Sequence, residues 1–588
     1  MQYIYEPDTL IPLSDGVNLC ANVWRPAEGT APTLLMRLPY GKDTLWQVSG
    51  DGGPLPSLLA LLRAGYAVVM QDVRGAFRSE GVFTPKVNEQ RDGRETIEWI
   101  ARQRWSDGTV GTYGASYMGM TQWAAASETP PALKAIAPTE AAMNWYEGLW
   151  YSPGGAMSLS IMNMWHGLMY LRDGQRDLAA GRGDMAELTA LGSFLGAGLS
   201  ANGFTPVAEN PVFRPGRWLD DILAHPDYDD FWRKQDLTAV IPKMTTPPLC
   251  IAGWFDLFVN SSVKDYVRFR AGAGTKQARD GARLVIGPWE HTSTTGQYPD
   301  RDFGPTASAA VADLTAHNVR HFNRWLRGDA KANVNDARVR IFVMGIDQWR
   351  DESDWPLPDT QYVNYFIGGT GPANTSAGAG TLTLEASRVD RRDTLLYDPA
   401  RPVPTTGGAL LPPGHGLLGP VDQRRIDGRD DILCFTTPVL DHDVEVTGFV
   451  KMRLFVSSSA VDTDLTAKLV DVFPDDRAIN LCDGIIRMRY REGLSTPKMM
   501  QPGTIYEAEI DMAVTSNVFL AGHRIRVDIS SSNFPRYDRN SNTGGFIAHE
   551  AEKDMIAALN TVHHGPGHPS RLILPIIKRA GGGSRVPL

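Results

Sequence analysis

Between about residues 30 and 145, short apolar runs alternate with amphipathic stretches. TLLMRLPY, AGYAVVMQDVR and LKAIAPTE read as buried strands, while RETIEWIARQ carries helical spacing. Runs with no polar alternation fit strands covered on both faces, so the pattern predicts a parallel sheet flanked by helices. The character changes from about 146 to 240. WYEGLWYSPGGAMSLSIMNMWHGLMYLRDGQRDLAAG is dense in Trp, Met, Leu and Gly and holds no convincing strand, so it reads as a helical insertion. Buried runs resume in PPLCIAGWFDLF (247 to 258) and ARLVIGPWEHT (282 to 292), and the sheet pattern continues to about 350. An insertion placed there would lie over the carboxyl ends of the strands, where open α/β sheets bind ligands, as a lid. After WPLPDT a Gly/Ser/Thr-rich passage leads into short alternating runs such as VTGFVKMRLFVSS, TDLTAKLVDVF and HRIRVDISSS, which predict an all-β sandwich of jelly-roll type.

Chemistry enters at residues 109 to 119, TVGTYGASYMG, a β-type run that breaks into a small-residue turn and presents Ser116 between Gly114 and Gly119. A serine hydroxyl is a weak nucleophile unless the backbone exposes it and a base takes its proton, and flanking glycines permit the sharp strand-to-helix turn of a nucleophile elbow. Asp256 ends one later buried run and His291 follows another. The order Ser, Asp, His is that of α/β-hydrolases and differs from the orders of chymotrypsin and subtilisin. The expected fold is therefore an α/β-hydrolase domain (1–145 and 241–354) interrupted by a helical cap (146–240) and followed by a jelly-roll domain (355–588).

Overall composition narrows the partners. Among 588 residues, 58 basic and 67 acidic side chains give a net charge of −9 without a long basic run, which argues against nucleic acid or an anionic membrane. MQYIYEPDTL has neither the basic stretch nor the apolar segment of a signal peptide, and no run of about 18 apolar residues occurs, so a cytoplasmic protein is expected. Cys20, Cys250, Cys434 and Cys482 lack C-x-x-C spacing and read as buried free thiols. His317 and His321 are spaced i, i+4, but no nearby Glu completes a zinc motif, so an amphipathic helix face is the expectation. Asp538, Asn540 and Asn542 alternate as in a calcium loop. Thr543 and His549 stand where such a loop needs Gly and Glu, which leaves a structural loop. No metal or organic cofactor is expected.

Beyond GASYMG, the segments RLPYGK, QDVRG, GWFD, GPWEH, VMGIDQWRDESDWPLPDT, AVDTDLTAKLVDVFPD and SSNFPRYDRNSNTGG resemble one serine hydrolase family over nearly the full length. That family comprises cocaine esterases, X-Pro dipeptidyl peptidases and α-amino acid ester hydrolases, and the resemblance is closest to the first group. It implies Ser116, Asp256 and His291 as the triad, and an oxyanion hole made of the Tyr117 amide and the Tyr40 hydroxyl. It also implies an acyl pocket lined by Trp150, Trp165, Phe258, Leu410 and Leu411, a small-molecule ester substrate with an aromatic or bulky apolar acyl group, and a homodimer. Two positions depart from the cocaine esterase pattern: Pro412 replaces a phenylalanine, and the loop from Gly41 to about Pro56 is longer. Relatives acting on α-amino acyl substrates, the alternative reading, often carry an acidic residue where Met118 stands here.

Overall fold

A ten-stranded sheet organises the first part of the chain, in the order β1-β2-β4-β3-β5-β6-β7-β8-β9-β10. The strands are β1 (Tyr3–Pro12), β2 (Asn18–Pro26), β3 (Ala31–Leu38), β4 (Ala67–Asp72), β5 (Ser106–Ala115), β6 (Leu133–Thr139), β7 (Leu249–Gly253), β8 (Arg283–Gly287), β9 (Val339–Val343) and β10 (Gln348–Glu352). This computed structural model describes residues 2–44, 53–210, 218–411 and 418–579, with the side chains of 199–201 left aside. Strands β3 to β9 are parallel, and the two ends of the sheet are antiparallel. Every residue of β3, β4 and β7 is buried, which is why these runs show no polar alternation.

The β1–β2 hairpin lies ahead of the apolar runs that begin near residue 30. Its outer strand is largely exposed and contains Pro7, and its register shifts between Glu6 and Thr9, so no apolar periodicity marks it. Between β6 and β7 the chain leaves the sheet for more than a hundred residues. Its main element there is a 21-residue helix, Leu159–Ala179, followed by Met185–Gly196. From Thr360 onward, strands assemble into an eleven-stranded, almost wholly antiparallel β structure. Its longest pair joins Val444–Ser458 to Tyr506–Phe519, and the first of these alternates buried and half-buried positions along most of its length.

The helical insertion is fastened to the β domain through buried ions. Arg487 donates to Asp464 at 2.9 Å and to Asp538 at 2.7 Å, and Asp538 also accepts the Met157 N–H at 3.0 Å. Asn540 donates to Asp464 and Asp462. Two members of the Asp538, Asn540, Asn542 trio thus serve a structural network. Burial outweighs the Arg487 charge and pushes the Asp464 carboxyl up to about 6. Asp538→Asn, which removes the charge on one partner of Arg487, is expected to cost about 2 kcal/mol in urea unfolding. A change within error would separate this network from stability.

Other sequence expectations resolve simply. The four cysteines are free and buried. His321 Nε2 meets the Pro247 carbonyl, and His317 meets Arg320, so this pair is engaged separately rather than converging. Among the described residues, no helix is long and apolar enough to cross a membrane. Pro412 and residues 45–52 of the long loop lie outside the described residues.

Candidate active site

Ser116 sits at the join between β5 and the helix Tyr117–Ser127, with φ 60° and ψ −127°, a conformation that L-residues rarely adopt. Close packing explains the glycines around it. A Cβ on Gly114, itself at φ 139°, would fall 2.5 Å from the Met118 Cβ, and one on Gly119 would fall 2.6 Å from the Ala141 Cβ. The Ser116 N–H is tied to the Thr139 carbonyl of β6 at 2.9 Å, which fixes the turn against the neighbouring strand.

Asp256 and His291 come from the two loops that follow β7 and β8. Phe255 N–H bonds the Trp289 carbonyl at 2.9 Å, and Trp254 N–H bonds the Gly287 carbonyl at 2.8 Å, so the two loops are stitched together. Asp256 is fully buried, and both its oxygens are engaged. Oδ1 accepts the Phe258 N–H at 2.7 Å, and Oδ2 lies 2.5 Å from His291 Nδ1. His291 Nε2 lies 3.1 Å from Ser116 Oγ. This geometry makes Nε2 the acceptor for the serine proton and leaves the imidazolium, once formed, facing a carboxylate.

Two groups near the serine can donate hydrogen bonds. The Tyr117 amide is the first of the helix and has no acceptor within it, because the opening turn of any helix leaves its N–H groups free. Its side chain turns away, donating to Glu89 at 2.8 Å and accepting the Lys86 N–H at 2.9 Å. Tyr40 lies just beyond β3, within hydrogen-bonding reach of Ser116, and its hydroxyl accepts the Trp165 indole N–H at 3.0 Å. That contact occupies a lone pair and leaves the phenolic proton free to donate. Burial pushes the phenol above its ordinary range, so it stays protonated at neutral pH. Trp165→Phe removes this orienting bond, and a loss of about fivefold in kcat is expected from one neutral hydrogen bond. An unchanged kcat would show that Tyr40 needs no such support.

A cavity of about 200 Å³ opens beside Ser116. Trp165, Phe258 and Leu411 line it, together with Met120, Leu149, Ile161, Met164 and Leu168. Two implied pocket residues stand elsewhere. Trp150 is one layer behind, its ring packed on Trp165 at 5.8 Å and His166 at 4.7 Å. Leu410 lines an adjoining chamber that shares Leu149, Ile161 and Leu411 with the first. Aromatic density marked this region, but it could not say which ring faces the void. The signal that finds the lining is periodicity. Ile161, Met164, Trp165 and Leu168 follow i, i+3, i+4, i+7 and form one stripe of the helix Leu159–Ala179.

A parallel sheet with a strained serine at its elbow, and an imidazole and a buried carboxylate beside it, defines a serine hydrolase of the α/β-hydrolase class. The chain belongs to the cocaine esterase and X-Pro dipeptidyl-peptidase family of serine hydrolases. Residues 15–293 match the family described as X-Pro dipeptidyl-peptidase (S15 family), and residues 332–573 match the X-Pro dipeptidyl-peptidase C-terminal non-catalytic domain. The chain is 49% identical over 587 residues to the cocaine esterase of Rhodococcus sp. (strain MB1 Bresler), spanning 98% of this chain and 99% of that protein. Among solved structures it is similar to an aminopeptidase from a marine sediment Thaumarchaeota archaeon, with a TM-score of 0.80 at 25% identity, covering 98% of this chain and 97% of the other. An α-amino acid ester hydrolase shares the fold, with a TM-score of 0.79 at 24% identity and coverage of 98% and 96%.

Proposed function

We propose that this protein is a carboxylesterase acting on small esters whose acyl group is aromatic or bulky and apolar, by way of an acyl-enzyme. Ser116 attacks the ester carbonyl while His291 Nε2 takes its proton, and Asp256 holds the Nδ1–H tautomer and faces the resulting imidazolium. The developing oxyanion is received by the Tyr117 amide and the Tyr40 hydroxyl. His291 then returns the proton to the departing alkoxide. Water repeats the sequence on the acyl-enzyme and frees the acid.

The observation that carries the substrate class is the lining of the cavity at Ser116. Its described walls are aliphatic, aromatic or thioether, apart from the reacting serine, histidine and tyrosine groups. A flat phenyl ring buried there gains about 3 kcal/mol from lost apolar surface. An α-amino acyl group would bring an ammonium into the same cavity with no carboxylate among those walls to pair it, which is costly. The relationship to the cocaine esterase of Rhodococcus points the same way.

The direct test compares para-nitrophenyl benzoate with glycyl-prolyl and phenylglycine esters. The benzoate is expected to have a kcat/KM at least about a hundredfold higher, the value of roughly 3 kcal/mol of differential binding. Equal or reversed preference would reject the neutral acyl pocket. A homodimer in the cytoplasm completes the proposal, and light scattering and cell fractionation test those two points.

A further inference from the structure

A second buried carboxyl closes on the same imidazole nitrogen that Asp256 engages. Glu140 follows β6 directly, with φ 48° and its N–H bonded to the Ile251 carbonyl of β7 at 2.8 Å. Its side chain is 1% exposed, and Oε2 stands 3.7 Å from His291 Nδ1. The nearest carboxyl oxygens of Glu140 and Asp256 and the His291 nitrogen all lie within 4.8 Å of one another. Glu140 Oε1 has no hydrogen-bond partner, so packing alone does not account for a polar residue where a methionine would fill the space.

Two buried carboxyls this close cannot both ionise, so the pair carries one negative charge. Asp256 holds it, because a backbone N–H and the imidazole both solvate that carboxylate. Glu140 keeps its proton. Burial, then the charges of Asp256 and Glu290, hold its carboxyl well above the ordinary range. Glu290, His291 and the Tyr298 phenol are the other titratable groups facing it.

We propose that Glu140 is a positioning residue that duplicates the acid of the triad: Asp256 and Glu140 share one charge, and either can hold His291 in its reactive tautomer. When Asp256 loses its charge, repulsion falls, Glu140 releases its proton to solvent, and its carboxylate becomes the acceptor beside Nδ1–H. The proposal rests on the esterase reading above.

The test is a double-mutant cycle on Asp256→Asn and Glu140→Gln, assayed with para-nitrophenyl benzoate. Loss of the triad acid alone ordinarily costs about 10⁴-fold in kcat. Here Asp256→Asn is expected to lose only about 10²-fold, and the double variant about 10⁴-fold, a coupling measured by the cycle. In Asp256→Asn the rate should also rise with pH through an ionisation above the ordinary carboxylate range, since Glu140 must be deprotonated to serve. That limb should vanish in the double variant. If the single and double variants agree within about twofold, with matching circular dichroism, the duplicate acid is overturned while the triad reading stands. Glu140→Met in the Asp256→Asn background repeats the test should the glutamine variant fail to fold. A Ser116→Ala enzyme that keeps its activity would instead defeat the esterase reading and leave this cycle without meaning for a triad.

Discussion

Ser116→Ala is expected to lower kcat by about 10⁶-fold, the scale set by removing the nucleophile of a serine hydrolase whose members act as one unit. The large figure follows from what the other groups can do alone. Without Oγ, His291 Nε2 has no hydroxyl to deprotonate, and the Tyr117 amide and Tyr40 hydroxyl can only polarise a carbonyl for attack by water. The fold should survive, because alanine occupies φ 60° with a side chain no larger than the one it replaces, and the Ser116 N–H bond to Thr139 is a backbone contact. Circular dichroism and unfolding curves should therefore match the parent. A serine-directed phosphonate should label the parent once per chain and the variant not at all. Stoichiometric labelling that persists in Ser116→Ala would place the nucleophile elsewhere.

Tyr40→Phe should lower kcat by about a hundredfold, or roughly 3 kcal/mol of transition-state stabilisation, with KM within about twofold of the parent. The asymmetry arises because the phenol is aimed at charge that develops only as the carbonyl becomes tetrahedral. Phenylalanine keeps the ring and so the packing, but it strips Trp165 Nε1 of its acceptor at 3.0 Å. A buried donor left alone costs on the order of 1 kcal/mol, so a small fall in stability should accompany the kinetic loss. Steady-state kinetics separate the two effects. If kcat is unchanged, the oxyanion must be held by the Tyr117 amide and a group other than Tyr40.

Much of this architecture was legible because burial writes itself into composition. β3, β4 and β7 are sealed on both faces, so their runs are apolar throughout, and the strands that deliver Asp256 and His291 stand out for the same reason. The elbow was legible because Gly114 and Gly119 sit where an added Cβ would collide with the Met118 and Ala141 side chains. The β1–β2 hairpin was missed because an exposed edge strand with a bulge needs no such pattern.

The acyl wall shows a different limit. Its stripe on Leu159–Ala179 obeys helical spacing, yet a stripe facing a cavity and a stripe facing a packed core obey the same rule. Trp150 and Trp165 differ only in which side of that wall they occupy. Glu140 closes the apolar run LKAIAPTE, but nothing in that run signals a role, since its meaning depends on His291, 151 positions further along the chain (291 − 140).

The sequence by itself determined the chain order of Ser116, Asp256 and His291, the alternation that makes a parallel sheet, and the change to an all-β second half, because each is a local consequence of periodicity or of turn chemistry. Only the tertiary structure decided which rings face the void beside Ser116, that the Tyr40 hydroxyl lies within hydrogen-bonding reach of Ser116, and that a second carboxyl crowds the imidazole. Those are distances between side chains carried by different strands, and chain order does not encode them until the sheet brings the strands together.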